Sequence, residues 1–299
     1  DAENANLLLV WGMNWITTKM PDSHWMTEAR LKGTKVVVIT VEYSATANKG
    51  DEIIVIRPGT DPAFALGLAQ VIMKEKLYDA GFVKRFTDLP KLVRMDTLEP
   101  LLAKDVFRNH REAELSNWTR VLKPGESAGP TPAQNAMVIP EALRGEFADF
   151  VMWDGRAGAP VPVSHDQVGD HFTRSGIDPA LEGTFEVTLA DGRKVQARPA
   201  FDLTRQYLDD TLTPENVSKI TWAPAPAIVK LAREIAKNDG KTLFAVGMGP
   251  NQFFNNDLKD RAIFLVAALT GSIGRLGGNV GSYAGNYRLT LFTGVPRYV

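Results

Sequence analysis

Cysteine is absent from this 299-residue sequence. Its absence excludes disulfide bonds, thiolate zinc sites, cysteine nucleophiles and iron–sulfur ligation within the chain. Long apolar runs are also missing, since none approaches the roughly 20 residues that a membrane-spanning helix needs. The formal net charge is only −1, which gives no support for nucleic acid or an anionic membrane as a partner. We therefore expect no direct membrane insertion and no nucleic-acid partner.

Histidine is scarce, and the four histidines are His24, His110, His165 and His171. The last two are six residues apart, whereas side chains on one helix face are about three or four apart. No serine lies in the strand–turn–helix context of a nucleophile elbow. We therefore assign no metal ligand in this chain, and we expect the chemistry to belong to a bound cofactor.

The remaining composition is that of an ordinary globular protein, with 44% apolar and 23% charged residues. A chain of this length can bury a large core and fits one or two domains. No signal peptide is present, and the chain runs from Asp1 almost at once into the apolar segment 6–10. Because domains rarely begin directly on an internal strand, we expect a fragment of a longer polypeptide.

The N-terminal part of the sequence alternates between short apolar runs and amphipathic segments. The runs at residues 7–10, 35–41 and 53–56 are typical of buried strands. The second is apolar almost throughout, as expected when both faces of a sheet are covered. Residues 23–32 and 62–77 have the periodicity and the start signals of helices. The order β-α-β-β-α predicts an open α/β sheet, after which we expect the chain to leave the helical pattern.

The C-terminal part carries a strand, a glycine turn and a helix in succession. An amphipathic helix at 227–238 leads into a short apolar run at 243–246, which ends in the turn 247–252 (GMGPNQ). Helical periodicity follows over 257–269, and a second glycine cluster spans 274–285. In α/β proteins this order brings backbone N–H groups and a helix N-terminus to a phosphorylated cofactor. The alternative is a strand–turn–helix unit that binds nothing.

The middle of the chain differs in composition from both ends, because it is rich in proline, glycine and polar stretches. It contains one clear β-hairpin signal, Asp191-Gly192 between the alternating segments 184–189 and 194–198. We therefore predict an α/β fold with a Rossmann-like, doubly wound, mostly parallel sheet and a long irregular insertion that contains a β-hairpin. The predicted parts are the first part of the cofactor-binding domain at 1–96, the insertion at 97–224 and the second part of the same domain at 225–299.

Small and polar residues follow the three predicted N-terminal strands. In an open α/β sheet, ligands bind at the carboxyl ends of the strands. Each of these residues also has a simpler interpretation: Glu42 as a solvated loop carboxylate, Asp61 as a helix N-cap and Asn14 as a turn residue. Together with the glycines after the fourth strand they favour a nucleotide-like ligand. The residues are Gly12 and Asn14, Glu42 and Tyr43, and Gly59, Thr60 and Asp61.

Several motifs resemble the molybdopterin oxidoreductases of the dimethyl sulfoxide reductase family. They are the segments 11–14 (WGMN), 21–25 (PDSHW), 35–38 (KVVV) and 59–62 (GTDP). More narrowly, 85–90 (RFTDLP) and the block that begins at Gly247 resemble catalytic alpha subunits of the respiratory nitrate reductase and nitrite oxidoreductase group, with perchlorate reductase among the near relatives. The resemblance covers essentially the whole chain, insertion included.

The resemblance implies a molybdenum bound by two molybdopterin guanine dinucleotides, one of which this chain would grip. Nitrate reductases commonly carry histidine where Gln252 stands, which leaves the oxyanion and the direction of catalysis open. The assignments by similarity are Gly12, Met13 and Asn14 beside the guanosine diphosphate; Thr40, Glu42 and Tyr43 beside the ribose or guanine; Gly59, Thr60 and Asp61 around the guanine; and Gly247, Gly249, Asn251 and Gln252 near the pterin and metal, with Gly278 and Asn279 behind.

For the full enzyme the resemblance implies oxidation of nitrite to nitrate, or the reverse, by oxygen-atom transfer at molybdenum, with Asn251 and Gln252 orienting the oxyanion. The family's aspartate ligand to molybdenum and its 4Fe-4S region lie upstream of Trp11, so this fragment alone should be inactive. The implied partners are an iron–sulfur beta subunit and a membrane or haem-bearing gamma subunit. The implied location is a bacterial membrane-associated complex, on either the periplasmic or the cytoplasmic face.

Three alternatives stay open at this point. Within the family, the substrate could be perchlorate, chlorate, selenate or a hydrocarbon. Outside it, the chain could be a nucleotide-binding module without redox chemistry, or a nicotinamide dehydrogenase. The last would be favoured by a G-x-G-x-x-G motif after the first strand, which the segment 11–16 (WGMNWI) does not supply.

Overall fold

The computed structural model describes residues 1–113, 120–121, 138–139, 148–254 and 258–282. The chain forms two compact units, of which the first comprises Asp1–Asp79 and Tyr207–Val299 and the second Ala80–Gln206. The sequence predicts one cofactor-binding domain from 1–96 and 225–299, with 97–224 as its insertion. These boundaries were drawn partly from expected function, so they stay a prediction.

Twelve strands lie within the described ranges, and the first unit holds five of them in one parallel sheet. The order across that sheet is β12-β11-β1-β2-β3. The strands are β1 (Leu7–Trp11), β2 (Lys35–Thr40), β3 (Glu52–Val55), β4 (Leu92–Arg94), β5 (Arg120–Val121), β6 (Val138–Ile139), β7 (Phe150–Asp154), β8 (Ala159–Val163), β9 (Phe185–Thr188), β10 (Lys194–Pro199), β11 (Thr242–Val246) and β12 (Val280–Ser282).

Ten α-helices accompany these strands in the described part of the chain. They are α1 (Trp15–Thr18), α2 (Ser23–Leu31), α3 (Asp61–Lys74), α4 (Ala80–Phe86), α5 (Ala103–Val106), α6 (Asp170–Ser175), α7 (Ala200–Thr211), α8 (Pro214–Thr221), α9 (Ala225–Lys237) and α10 (Lys259–Leu269). Short 3-10 turns occur at Ala2–Asn4, Met20–Asp22, Ala47–Lys49 and Gly249–Gln252. Among the helices of these ranges, none has the length and apolarity needed to cross a bilayer.

The central strand β1 explains why the sheet is parallel and buried. All five of its residues are buried, and β2 is buried at every position after Lys35. Strands that read as continuous apolar runs need cover on both faces, which a parallel sheet with crossover helices provides. β1 leads through β2 to β3 on one side, while β11 and β12 lie on the other side, so the strand order reverses between β1 and β11. This is a doubly wound topology.

Helix α3 is the most deeply buried helix described in the first unit, and it contacts α8, α9 and α10. Its glycine allows one of these contacts to be close. A Cβ atom on Gly67 would lie 2.9 Å from Cγ2 of Val217 in α8, which is closer than side chains tolerate. The apolar residues of α3 pack at ordinary core density only because this position lacks a side chain.

Most strands of the second unit pair antiparallel, and the short strands β5 and β6 pair parallel. One sheet has the order β4-β10-β9, and β7 pairs with β8 as a hairpin. Its main apolar cluster includes Leu92, Leu101, Val151, Val187 and Ala197. The Asp191-Gly192 turn joins β9 to β10 as predicted, since Leu189 and Arg193 pair across it.

Three features of the described chain differ from the predictions. Residues 81–90 do not simply leave the helical pattern, because α4 covers Ala80–Phe86. The middle region contains a second hairpin, β7–β8, whose proline-bearing strand hid it from a pattern search. The fifth strand β12 lies inside the glycine cluster, where three residues (VGS) offer no periodicity to detect.

A charged cluster joins strand and helix surfaces beside the amino ends of β2 and β3. Lys35 Nζ lies 2.9 Å from Glu52 Oε2 and 2.6 Å from Glu234 Oε2, and Lys230 Nζ lies 2.8 Å from Glu52 Oε2. Burial raises the pKa of the Glu52 carboxyl, but hydrogen bonds and Coulombic attraction from Lys230 and Lys35 outweigh burial, so its pKa lies below the ordinary value. The folded state therefore favours ionised Glu52.

We predict that Glu52→Gln lowers the free energy of unfolding at pH 7 by about 1 kcal/mol. A depressed folded-state pKa contributes stability that is fully present above the unfolded value of 4.5 and is lost as the pH falls through the lower folded value. The difference between wild type and variant should therefore shrink below pH 4.5. Urea unfolding at pH 3 to 8 measures this difference. Glu28→Gln in α2 is the control, because Glu28 forms no ion pair within the described residues.

Candidate functional site

The candidate site lies at the carboxyl edge of the parallel sheet, where β1, β2 and β11 end side by side. Trp11 is in register with Ile39 on one side and with Val246 on the other. The loops that follow are tied to these ends, since the N–H of Gly12 donates to the carbonyl of Ile39 and the N–H of Gly247 to that of Trp11, both at 2.8 Å. The site therefore occupies the point where the strand order reverses, as ligand sites in such sheets do.

Two glycines let the loops after β1 and β11 touch. Gly12 has a φ of +58°, and a Cβ atom there would lie 2.5 Å from Cδ of Pro250. A Cβ atom on Gly247 would lie 2.5 Å from Cβ of Met13. The N–H groups of both glycines are already used between strands, so these residues contribute space and close approach rather than hydrogen-bond donors.

Two cavities adjoin at this contact and share Gly12, Met13, Asn14 and Gly249 as lining residues. The Gly247 cavity, about 450 Å³, is also lined by Thr18, Lys19, Gly247 and Met248. The Asp61 cavity, about 500 Å³, is also lined by Ile39, Thr40, Val41, Glu42, Ser44, Asp61, Pro250, Gln252 and Phe253. Because they share these four lining residues, the two cavities lie next to each other at the sheet edge, and we refer to the pair as the groove.

Asp61 lines the groove from a buried position. The residue is only 2% exposed, and its Oδ1 accepts a hydrogen bond of 2.8 Å from Nε1 of Trp11. The indole in turn packs edge-on against Phe64 at 5.5 Å between ring centroids. Asp61 is the first residue of α3, and Thr60 occupies the N-cap position, so the simpler interpretation of Asp61 as the N-cap residue was wrong. The carboxylate is fixed by the end of β1 before any ligand binds.

Asn14 is held in place by the loop after β2. Its Oδ1 accepts hydrogen bonds from Oγ1 of Thr46 at 3.0 Å and from the N–H of Thr46 at 3.3 Å. The N–H of Ile16 donates to the same threonine hydroxyl at 2.9 Å. Thr46 is fully buried, so these contacts fix the first turn after β1 against the neighbouring loop.

The residues after β2 divide into those that line the groove and one that does not. Thr40 and Glu42 line the Asp61 cavity, and Oγ1 of Thr40 donates to the carbonyl of Glu42 at 2.9 Å. Tyr43 is not among the lining residues of either cavity; its side chain is 68% exposed, and its hydroxyl donates to Asn48 at 3.0 Å. Glu42 therefore has the better position for contact with a ligand.

The turn after β11 brings only some of its predicted residues into the groove. Gly247, Gly249 and Gln252 line it, whereas Asn251 lines neither cavity and is exposed. Gly59 and Thr60 also lie outside the lining, with the backbone of Gly59 packed beside Phe253.

Gly278 and Asn279 lie at the other edge of the sheet. They precede β12, which is parallel to β11, so they flank its amino end and not its carboxyl end. Asn279 Oδ1 accepts from the N–H of Gly274 at 2.7 Å, and a Cβ on Gly278 would collide with the carbonyl of Ser272. Both residues stabilise the turn before β12.

Several lining residues were not predicted from the sequence. Lys19 is the one cationic side chain among the described residues that line either cavity, and it lines the Gly247 cavity, whereas Asp61 lines the other. Lys19 could have been predicted from the sequence, because it lies in the loop that follows the first strand, where ligands bind in such sheets. The other unpredicted residues have no charge or motif to mark them; they are Thr18, Ile39, Val41, Ser44, Met248, Pro250 and Phe253.

We predict that Gly12→Ala lowers the free energy of unfolding by roughly 2–4 kcal/mol. The cost of a left-handed backbone at alanine adds to the cost of the collision with Pro250. Gly274→Ala is the matched control, since Gly274 also has a positive φ but a Cβ there meets nothing within 4 Å. It should lose only about 1–2 kcal/mol. Denaturant unfolding of both variants measures the difference. Equal losses of stability would contradict the close contact between Gly12 and Pro250.

Comparison with known proteins identifies the family. The Molybdopterin oxidoreductase family model matches residues 1–293. The perchlorate reductase subunit alpha of Dechloromonas aromatica is 37% identical over 99% of this chain and 30% of its own length. The respiratory nitrate reductase subunit alpha of Haloferax mediterranei is 33% identical over 98% of this chain and 27% of its own length.

A third relative broadens the range of named substrates. The dimethylsulfide dehydrogenase subunit alpha of Rhodovulum sulfidophilum is 30% identical over 92% of this chain and 26% of its own length. The chain thus spans less than a third of the curated relatives that it matches. Since the family model covers nearly all of its residues, the chain belongs to the molybdopterin oxidoreductase family.

Proposed function

We propose that this chain is part of the catalytic subunit of a molybdenum oxidoreductase that oxidises nitrite to nitrate, or reduces nitrate, and that it grips one of two molybdopterin guanine dinucleotides. The observation that carries the proposal is the groove formed by the Gly247 and Asp61 cavities at the reversal point of the sheet. The motifs that resemble nitrite oxidoreductase and the nitrate reductase relative favour the substrate.

The residues of the groove fit the cofactor class that the family implies. A guanine base presents N–H donors and needs acceptors, while a diphosphate needs a cation or N–H donors. Glu42 and Asp61 supply carboxylates in one cavity, and Lys19 supplies a cation in the other. Gly12 and Gly247 let the two loops that line both cavities meet, since a side chain at either position would collide with Pro250 or Met13.

The cationic and the acidic side chains line different cavities, which suggests how the cofactor would be oriented in the groove. We assign the guanine end to the Asp61 cavity, where a carboxylate can accept from both N1–H and the exocyclic amine. Thr40 and Ser44 line the same cavity and offer hydroxyls to the ribose. We assign the diphosphate to the shared wall and the Lys19 side, and the pterin to the region of Gly247 and Gly249.

When bound, the molybdenum centre supplies oxygen-atom transfer coupled to a two-electron change. The chain's own contribution is to hold the cofactor and to orient the oxyanion. The Gln252 side chain lines the groove and carries an amide N–H₂ that can donate to an oxyanion oxygen. A donor at this position would raise the fraction of bound oxyanion in a reactive orientation. Asn251, on the same turn, is the second orienting residue in the proposal.

The remaining parts of the proposal concern the whole complex. A 4Fe-4S cluster in the upstream part of the subunit and an iron–sulfur beta subunit would carry electrons, with a membrane or haem-bearing gamma subunit as the further partner. The complex would be bacterial and membrane-associated. Support comes from the names of the relatives, which are alpha subunits and include a respiratory enzyme.

A second candidate function is reduction of perchlorate or chlorate. The specific observation that favours it is the 37% identity with the perchlorate reductase subunit alpha, which exceeds that of the nitrate reductase relative. Steady-state assays of the intact complex with nitrite, nitrate, chlorate and perchlorate separate the two functions, because kcat/KM ranks the substrates directly. A nucleotide-binding module without redox chemistry would turn over none of them.

We predict that Asp61→Asn in the full subunit weakens retention of the guanine dinucleotide about tenfold or more, because a charge-assisted acceptor becomes an amide that presents a donor to guanine. Molybdenum and the guanosine monophosphate released by acid hydrolysis, both per subunit, measure retention. Trp11→Phe separates position from charge: it removes the hydrogen bond that positions the carboxylate but keeps the carboxylate itself, so cofactor content should fall less than in Asp61→Asn. Unchanged content in Asp61→Asn would refute the guanine assignment.

We predict that Gln252→Ala raises KM for the oxyanion roughly five- to tenfold, as expected for loss of one hydrogen bond, while molybdenum content stays at the wild-type level. Initial rates at saturating electron acceptor or donor measure this change. Asn251→Ala provides the comparison, because the exposed Asn251 side chain lines neither cavity and should give a smaller effect. A larger effect for Asn251 would reverse the ranking of the two residues.

A further inference from the structure

A cluster of three metal-ligand side chains lies in the second unit, and none of the three is a residue assigned to the cofactor groove. His110, Glu112 and Asp149 each offer a ligand atom, and these atoms all lie within 4.8 Å of one another. His110 and Glu112 follow helix α5, and Asp149 directly precedes strand β7. The cluster therefore joins two segments that are distant in sequence.

The positions of the three side chains are fixed by hydrogen bonds. Nε2 of His110 lies 2.9 Å from Oδ2 of Asp149, and the N–H of Ala113 donates to the same oxygen at 2.9 Å. Oε2 of Glu112 accepts from the N–H of Asp149 at 2.6 Å. The backbone is held as well, since the N–H of Ala103 donates to the carbonyl of Asp149 at 2.8 Å. The arrangement is rigid enough to serve as a preformed site.

The second oxygen of the Asp149 carboxylate points to a missing ligand. Asp149 is 3% exposed, and its Oδ1 is buried without a hydrogen-bond partner. A buried carboxylate oxygen that accepts nothing has lost its hydration without compensation. Buried polar atoms in folded proteins nearly always have a partner, so an unpartnered one beside two further ligand side chains favours a bound cation.

The charge of the cluster points in the same direction. Two carboxylates, Glu112 and Asp149, face one imidazole. Within the described ranges, the salt bridge of Asp149 with His110 is the one ion pair formed by the three residues, and no lysine or arginine pairs with either carboxylate. A divalent cation would neutralise both carboxylates, whereas a protonated imidazole offsets only one of them.

We propose that His110, Glu112 and Asp149 bind one divalent first-row transition-metal ion, for which Zn²⁺ is the probe. One imidazole nitrogen and two carboxylate oxygens form a mixed set that suits Zn²⁺ better than Mg²⁺, since Mg²⁺ prefers oxygen ligands in an octahedral arrangement. Three protein ligands leave a position for water, as in zinc sites that are not fully closed by protein.

The bound ion would act as a cross-link in the second unit. Its ligands come from residues 110–112 and from residue 149, which only the folded chain brings together, so the free energy of metal binding stabilises the folded state. Asp149 leads directly into β7, where Val151 belongs to the apolar core of that unit. Metal binding should therefore raise the thermal stability of the second unit and leave the cofactor groove unchanged.

The test uses the purified full-length catalytic subunit after removal of loosely bound metal with a chelator. Titration calorimetry with ZnCl₂ should give one site per subunit, and elemental analysis should then find one zinc in addition to molybdenum and iron. In the double variant Glu112→Gln, Asp149→Asn the affinity for Zn²⁺ should fall about 100-fold or more, because two of three ligands lose their charge. MgCl₂ should not compete at equal concentration.

The control variant carries the same change of charge elsewhere in the second unit. Glu186→Gln with Asp191→Asn alters two exposed carboxylates of the β9–β10 hairpin and should bind Zn²⁺ as the wild type does. Equal Zn²⁺ affinity in the two double variants, or no zinc uptake by the wild type, would overturn the proposal. Preferential binding of Mg²⁺ would overturn the transition-metal assignment.

A second measurement on the wild type covers the case in which the ligand variant does not fold. Addition of CoCl₂ in place of zinc should give visible absorption bands of a low-coordinate nitrogen and oxygen site, and ZnCl₂ should remove them. ZnCl₂ should also raise the melting temperature of the wild type. Absence of both effects counts against the site. Molybdenum content is recorded in parallel, so failure of this proposal is distinguishable from failure of the proposed function.

Discussion

The pairing of β1 with β11 is the constraint on which the candidate site depends. These strands come from opposite ends of the chain, and their register places Trp11 beside Val246. Two glycines, Gly12 and Gly247, then meet at a separation that side chains would forbid. Once that contact is made, the loops after both strands form one groove. The rest of the first unit, including the helices around α3, holds the two strands together.

A buried hydrogen bond connects β1 to the Asp61 cavity. The indole of Trp11 donates to Asp61, so the last residue of β1 orients the first residue of α3. Because both side chains are buried, this hydrogen bond is worth more than a similar one at the surface. The core of the sheet and the Asp61 carboxylate are therefore parts of one structure, and a change in either affects the other.

Much of this architecture could be predicted from the sequence, for physical reasons that particular segments illustrate. The runs LLLVW and KVVVIT are apolar at nearly every position, so both faces of each strand must be buried, and these runs form β1 and β2. The Asp-Gly turn specified the β9–β10 hairpin because its backbone preference is local. Gly12, Asn14 and Asp61 line one cavity, as expected because strand ends in such sheets converge, whereas Gln252 was assigned by resemblance; the role of all four towards a ligand stays a prediction.

The parts that were missed depend on contacts between distant residues. Strand β12 has only three residues, too few for a recognisable pattern, and it is a strand because it pairs with β11. Gly278 was grouped with the groove glycines, yet its position before a parallel strand puts it at the other edge of the sheet. His110, Glu112 and Asp149 carry no motif, because their proximity arises from the fold of the second unit and not from spacing in the chain.

The buried position of Asp61 has a consequence for the order of assembly. A carboxylate that has already given up its water on folding asks little further reorganisation of an incoming base, so docking can be fast and tight. A ligand that binds only the native state also shifts the folding equilibrium towards it, so the loaded protein is more stable than the empty one. If the proposed dinucleotide is that ligand, a shortage of it would shorten the lifetime of the polypeptide.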